Sequence, residues 1–223
     1  MSGPPILVLF ENDDVLAVDK PEGVVSLSEA GKGGLPELLL ERTPGRLFPV
    51  HRLDKEVSGV ILFARNAEAH RFLNGEFERR EVKKTYLALV HGAIEQNGGV
   101  INAPIREFGS GRMGIDGKSG KTAATEFKVY QRLKAGYTLV RAYPATGRRH
   151  QIRVHLYSIG HPIVGDRKYG EKALQAGFPR LMLHAMALEI SLPGGERVTI
   201  EAPPPESFTS VLDELSKKAP RTT

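Results

Sequence analysis

Asp54 lies in "HRLDKEVSGVILFARN" (His51 to Asn66), between a loop-like stretch and a very apolar run, with Arg52, Lys55 and Arg65 close by in sequence. A carboxylate placed this way can serve as a nucleophile or a general base. The same pattern also fits a turn residue, or a surface Asp–Arg pair of little energetic value. Positive charge collects in four stretches: "RREVKK" (Arg79 to Lys84), "GRMGIDGKSGK" (Gly111 to Lys121), "GRRHQIRVH" (Gly147 to His155) and "GDRKYG" (Gly165 to Gly170). Each can be a solvated face or a contact for a polyanion.

Other chemistries fail on spacing. A phosphate loop needs Gly, four residues, then Gly-Lys-Ser/Thr, and counting back from Gly117 or Gly120 reaches Arg112 or Ile115 instead. The chain has seven histidines, but His150 and His155 are five apart and share their segment with no carboxylate, so no metal site is expected. There is no Gly-x-Ser-x-Gly elbow. With no cysteine at all, thiolate chemistry, disulfides and iron–sulfur clusters are excluded, and a reducing compartment fits. Catalysis has to rest on oxygen and nitrogen groups.

At 223 residues and 40% hydrophobic content the chain can bury a sizeable core, and a net charge of +5 is a mild invitation to a polyanionic partner. The N-terminus "MSGPPILVLFENDD" has no basic region before its short apolar run, and no run approaches the length of a membrane span. A cytoplasmic protein with no membrane contact is the expectation.

The elements that must position Asp54 follow from pattern. "ILVLFENDDVLAVDKPEG" predicts a hairpin turning at Asn12 to Asp14, and Val57 to Ala64 predicts a strand buried on both faces. Asn66 is placed to cap a helix with Ala69, Phe72, Leu73 and Phe77 on one side. "KTYLALVHG" returns as a strand; further strands are predicted at Thr125 to Leu133, Tyr137 to Tyr143, Leu181 to Leu192 and Arg197 to Glu201, and a last helix from Glu206 to Lys217. Thr146 to Pro162 predicts a helix stopped at Gly160, its stripe being Ile152, Leu156 and Ile159, with Arg149 and Arg153 along one edge. "GSGRMGIDGKSGKTA" reads as a glycine-rich basic hairpin. Strands joined by short turns favour an α+β fold on a mostly antiparallel mixed sheet with flanking helices and a central cleft. One domain is expected over residues 1–223, its core about 6–217, with "KKAPRTT" a frayed tail.

Five blocks in order, "ILVLFENDDVLAVDKPEGVVS" with "HRLDKEVSG", then "KKTYLALVHG", "GKTAATEF", "TGRRHQIRVHLYSIGHPIVGDRKYG" and "LMLHA", resemble the RluA branch of the pseudouridine synthases, from Ile6 to Glu201. Val57 stands where Thr or Ser is usual, and Arg149 where a small or hydroxylated residue is common. The likeness is to minimal members that lack an N-terminal RNA-binding domain. It implies a pseudouridine synthase fold and isomerisation of uridine within ribosomal RNA, transfer RNA or both, with no cofactor. It also implies a monomer without an obligate protein partner.

By the same resemblance Asp54 matches the essential aspartate, acting either on ribose carbon 1′ as nucleophile or on carbon 2′ as base. Arg153 matches the arginine that pairs with it, and Tyr86 the tyrosine that stacks on the target base. Arg52 matches the residue that fills the space of the flipped uridine. His51 of the same motif, with Lys121, Arg148, Arg149 and Lys168, is expected to contact RNA. Two rival readings remain: an RNA N-glycosidase, which commonly needs a second acid or a metal-bound water, and an RNA-binding module without catalysis.

Overall fold

The first turn in the chain is made by a side chain. Asn12 Oδ1 accepts the backbone N–H groups of Asp14 and Val15 at 3.0 and 2.8 Å, which folds β1 (Leu7–Glu11) antiparallel onto β2 (Val15–Lys20). The computed structural model describes residues 6–27, 33–40, 43 and 45–217. Beyond Lys217 the tail expected to fray lies outside the described residues. After β2 come α1 (Leu35–Leu39), β3 (Phe48–Pro49), β4 (Ser58–Ala64), α2 (Ala67–Arg79), β5 (Lys83–His91), β6 (Gly98–Asn102), β7 (Ile105–Glu107) and β8 (Met113–Ile115). β9 (Ala124–Leu133), β10 (Tyr137–Pro144), α3 (Gln151–Ser158), α4 (Lys172–Gln175), β11 (Leu183–Ser191), β12 (Arg197–Glu201) and α5 (Glu206–Lys217) complete the chain. The α+β class and the predominance of antiparallel pairing are as the sequence predicts.

The chain divides into two compact units, Met1–Lys84 with Ala185–Pro203 and Thr85–His184 with Pro204–Thr223. In the first, strands run in the order β1-β2-β4-β11, with β3 on β4 and β12 on β11. Every residue of β4 is buried, as its unbroken apolar run predicts. Val60, Leu62 and Ala64 pack with Ala69 and Leu73 of α2 and with Leu188 and Ile190 of β11. Asn66 caps α2 as expected, its Oδ1 accepting Ala69 N–H at 2.8 Å, and its amide also donates to Asp14 Oδ1 at 2.8 Å. One residue thus starts the helix and ties it to the first turn.

In the second unit β5, β10, β9 and β6 pair antiparallel in that order. β7 and β8 form the basic hairpin, Glu107 opposite Met113, so it begins ahead of the glycine-rich stretch that marks it in sequence. α3 lies on β9, where His155 Nδ1 meets Thr125 Oγ1 at 2.8 Å.

The helix predicted from Thr146 to Pro162 is cut down to Gln151–Ser158. The Gln151 side chain accounts for the loss: its Oε1 accepts from the Thr146 hydroxyl at 2.6 Å and from Arg148 N–H at 3.0 Å. Residues 146–150 are thereby folded into a turn that ends with His150 in the left-handed region, φ 54°. Arg149 therefore precedes the helix and does not share an edge with Arg153. Ile159 is 40% exposed, while Arg153 is buried among the core residues of α3. The helix is buried nearly all round, its polar residues Gln151, Arg153 and His155 included, and has no narrow apolar stripe. Among the described residues no helix is long and apolar enough to cross a membrane.

Asn66→Ala removes the α2 cap and the tie to Asp14. Urea unfolding is expected to register a loss of roughly 1–2 kcal/mol, and Asn66→Ser, which keeps a cap acceptor and sets no charge against Asp14, a smaller one.

Candidate active site

In the first unit, His51, Arg52 and Asp54 share the loop that leads into β4, and the chain on both sides of Asp54 is gripped. Ser26 brackets Leu53, its hydroxyl donating to Leu53 O at 2.7 Å and accepting Leu53 N–H at 3.1 Å. On the other side Lys55 O accepts Gly23 N–H at 2.8 Å and the Lys20 ammonium at 3.3 Å. Lys20 has no exposed surface and also donates to Pro21 O and Val24 O, at 2.9 and 2.8 Å. Asp54 O accepts Val57 N–H at 3.1 Å, turning the chain into the strand. Gly59 (φ +116°) follows on β4, where a side chain would run into the Ala185 carbonyl.

His51 is an intramolecular post. Its Nε2 accepts Leu62 N–H at 2.9 Å and its ring stacks on Phe77 with centroids 5.0 Å apart. Burial, with the Lys84 charge adding to it, pushes the imidazole pKa down to about 3, so the ring is neutral with its proton on Nδ1. Lys84 is itself pushed down by burial and by Arg80. The RNA contact expected of His51 rests on the resemblance alone. Arg52 is exposed.

In the second unit Tyr86 lies opposite Ala142, which lies opposite Phe127. They share the sheet face that α3 covers, since Thr125 on that face also accepts Gln151 Nε2 at 3.0 Å. Arg153, on α3, meets Asp166 in a two-pronged pair, Nε to Oδ2 and Nη2 to Oδ1, both at 2.8 Å. The side chains are 3% and 0% exposed. Asp166 Oδ1 also accepts Lys168 N–H and Tyr169 N–H, at 3.0 and 3.1 Å. The Tyr169 ring lies 5.3 Å from the guanidinium carbon. Its hydroxyl accepts Met113 N–H at 3.2 Å and pairs with His150 Nδ1 at 2.8 Å, and burial raises its pKa. One tyrosine thus joins the β7–β8 hairpin, the start of α3 and Arg153.

The expected phosphate contacts gather near that hairpin. Arg148 Nε donates to Thr122 O at 3.2 Å, next to Lys121, and Arg149 pairs with Glu107 at 2.9 Å. Lys168 sits beside Asp166. Lys20, Ser26, Asp166 and Tyr169 escape the sequence reading. The signals for them are a lysine at the end of an apolar strand before Pro-Glu-Gly, and a single acid within the otherwise basic "GDRKYG". Among the described residues no three histidine or carboxylate side chains cluster as a metal site.

Residues 14–158 match the family described as RNA pseudouridylate synthase. The chain is 37% identical over 228 residues to the ribosomal large subunit pseudouridine synthase D of Nitrosomonas europaea, covering 95% of this chain and 65% of that protein. It is 38% identical over 218 residues to an uncharacterized RNA pseudouridine synthase of Zymomonas mobilis, covering 93% of this chain and 99% of that one. The solved structure of human RNA pseudouridylate synthase domain containing 1 superposes with a TM-score of 0.79 at 31% identity, over 98% of this chain and 97% of that one.

Two outcomes are expected from the Asp54 loop. Lys20→Met strands three carbonyls in a dry site and should cost roughly 3 kcal/mol in chemical denaturation. For His51, the unfolded chain takes up a proton below the ordinary value of 6.5 and the folded one only near 3. Stability therefore falls as pH drops through that window, by about 1.4 kcal/mol per pH unit for one proton. His51→Gln should flatten the wild-type decline between pH 6 and 4 by up to that slope, as read by unfolding at each pH.

Proposed function

This chain belongs to the RNA pseudouridylate synthase family, and from that premise we propose that it converts uridine in structured ribosomal RNA to pseudouridine, with Asp54 as the reacting carboxylate. The observation that carries the assignment of Asp54 is its setting: its two neighbours are clamped by Ser26, Gly23 and Lys20, at the mouth of a fully buried strand. Such a loop holds a carboxylate in one place while substrate moves to it.

In the reaction the bond from nitrogen 1 to ribose carbon 1′ breaks and one from carbon 5 to carbon 1′ forms. Carbon 5 loses a proton and nitrogen 1 gains one, so atoms and electrons balance without an oxidant or a donor from outside. Asp54 acts as the anion, either on carbon 1′ as nucleophile or on carbon 2′ as base. Arg153 is the cation assigned to pair with it. Asp166 holds Nε and Nη2 of that guanidinium and so fixes its plane. Tyr86 stacks on the base and Arg52 enters the space the uridine leaves. Lys121, Arg148, Arg149 and Lys168 carry phosphate. Names of relatives such as the Nitrosomonas europaea protein support the large ribosomal subunit RNA as substrate; transfer RNA is a further candidate.

The two units act as one catalytic domain in this reading. The chain passes between them three times, twice within a strand, so neither unit is a continuous segment. The protein is assigned to the cytoplasm as a monomer.

The test uses ribosomal RNA tritiated at uridine carbon 5, which must lose that hydrogen when the new bond forms. Wild-type protein is expected to release tritium without free uracil. Asp54→Asn, which keeps the size of the side chain and removes the anion, is expected to release none above background. Free uracil would establish glycosidic cleavage in place of isomerisation, and equal release by both proteins would remove Asp54 from the chemistry.

A further inference from the structure

The second unit carries an exposed cationic and aromatic surface on the sheet face that looks away from Tyr86. Arg141 of β10 lies opposite Leu87, one residue on from Tyr86, so the two faces are distinct. Across the outer face Val100, Glu126 and Tyr143 stand in one row, and Lys128 and Arg141 in the next. Towards one end Tyr137 and Leu139 share this face and are covered, Tyr137 packing on Phe178. Towards the other end the face is open: Val100 is 61% and Tyr130 59% exposed, Lys128 is exposed, and Arg141 and Tyr143 are half-buried.

Tyr130 follows Glu126 and Lys128 at the two-residue spacing of β9 and so shares their face. A bulge falls at this point, Val129 pairing with Val140 and Gln131 with Leu139, so that no residue of β10 stands opposite Tyr130. There the Arg141 guanidinium sits 4.6 Å from its centroid, and Lys128 Nζ lies 5.7 Å from the Tyr143 centroid. Arg141 forms no ion pair among the described residues, and its Nε has no hydrogen-bond partner. Lys128 has only an exposed pair with Glu126, at 3.3 Å. Two rings, two cations and one acid make a face with an excess of positive charge and flat π surfaces. Cross-strand packing alone does not call for an exposed tyrosine at this spacing, or for an arginine left without a carboxylate.

We propose that this face is a second RNA-binding surface, on which Tyr130 and Tyr143 stack unpaired bases while Lys128 and Arg141 contact the adjoining phosphates. The inference rests on the functional reading above, because it takes the substrate to be RNA. Its occupant is a single-stranded segment of the substrate RNA, since sequence-tolerant stacking on aromatics between cations suits unpaired bases and not a duplex. The bases held there are distant along the RNA from the uridine offered to Tyr86, and the surface adds affinity without touching the reacting atoms.

The test measures the dissociation constant for a fluorescent ribosomal RNA transcript as a function of salt. Wild type, Tyr130→Ala, Tyr130→Phe and Lys128→Gln are compared, each also checked by thermal unfolding and sedimentation. Tyr130→Ala should weaken binding at least about fivefold and Tyr130→Phe, which keeps the ring, by less than about twofold. Lys128→Gln should reduce the slope of log K against log salt by about 0.7, one single-strand phosphate contact. A folded Tyr130→Ala that binds as tightly as wild type overturns the proposal. So does a variant that turns a dimer into a monomer with RNA affinity unchanged, which would assign the face to a second copy of the chain. Wild type that neither binds RNA nor releases tritium overturns the functional reading itself. Wild type that does both while Tyr130→Ala is unaltered overturns this surface alone.

Discussion

Lys20 ends β2 with an ammonium that no solvent reaches, surrounded by the carbonyls of Pro21, Val24 and Lys55. Taking an ammonium out of water costs several kcal/mol, and three charge-assisted hydrogen bonds of about 1.5–3 kcal/mol each can offset that only if all three are in place. The geometry is therefore stiff. A shift in the Pro21–Val24 turn or in Lys55 would leave a buried charge short of acceptors, so the two segments move together or not at all. Ser26 applies the same constraint to Leu53 from the other side. What is held between them is the backbone of Asp54, and a carboxylate that has to meet a reacting centre gains from losing that freedom before substrate arrives.

The second unit solves the same problem with an opposite pair of charges. Arg153 is buried and keeps its charge, and the Asp166 carboxylate, also buried, is its two-pronged partner. The two-pronged contact sets the rotation of the guanidinium as well as its position, which a lysine could not reproduce. Asp166 is in turn fixed by two backbone N–H groups that follow it. The turn that makes them available depends on Gly165 at φ +75°, whose missing side chain lets it pass the Arg180 carbonyl. A short basic-looking motif therefore works through its one acid and its first glycine.

Periodicity and punctuation were enough for much of the fold. The Asn12 turn, the buried strand after Asp54, the Asn66 cap and the last helix depend on contacts close in sequence, which pattern records. The truncated α3 did not yield, because the Gln151 side chain competes with the helix for the loop before it, and a 3.6-residue period carries no trace of that competition. The candidate site can be proposed from residue types in order: Asp54, Tyr86 and Arg153. Its supports cannot. Lys20 and Lys55 are 35 residues apart and Ser26 and Leu53 are 27 apart, so their pairing exists only once the chain is folded. His51 shows another support that pattern does not record: its Nε2 accepts Leu62 N–H, and burial keeps the ring neutral.

The outer charges follow a different rule from the buried ones. Arg149 with Glu107, Arg106 with Asp116 and Lys128 with Glu126 are all pairs with at least one side chain well exposed. Such pairs contribute at most about 1 kcal/mol and weaken with salt. They orient a cation at little cost, and a phosphate oxygen can displace the carboxylate at little cost too, with counterions released from the RNA as the driving term. The basic hairpin and the outer sheet face can then exchange internal partners for phosphates while the buried ammonium and the Arg153–Asp166 pair stay as they are. On the proposed reading, affinity resides in charges that can be redirected and chemistry in charges that cannot, so that a net charge of only +5 can serve an RNA substrate without loosening the loop that holds Asp54.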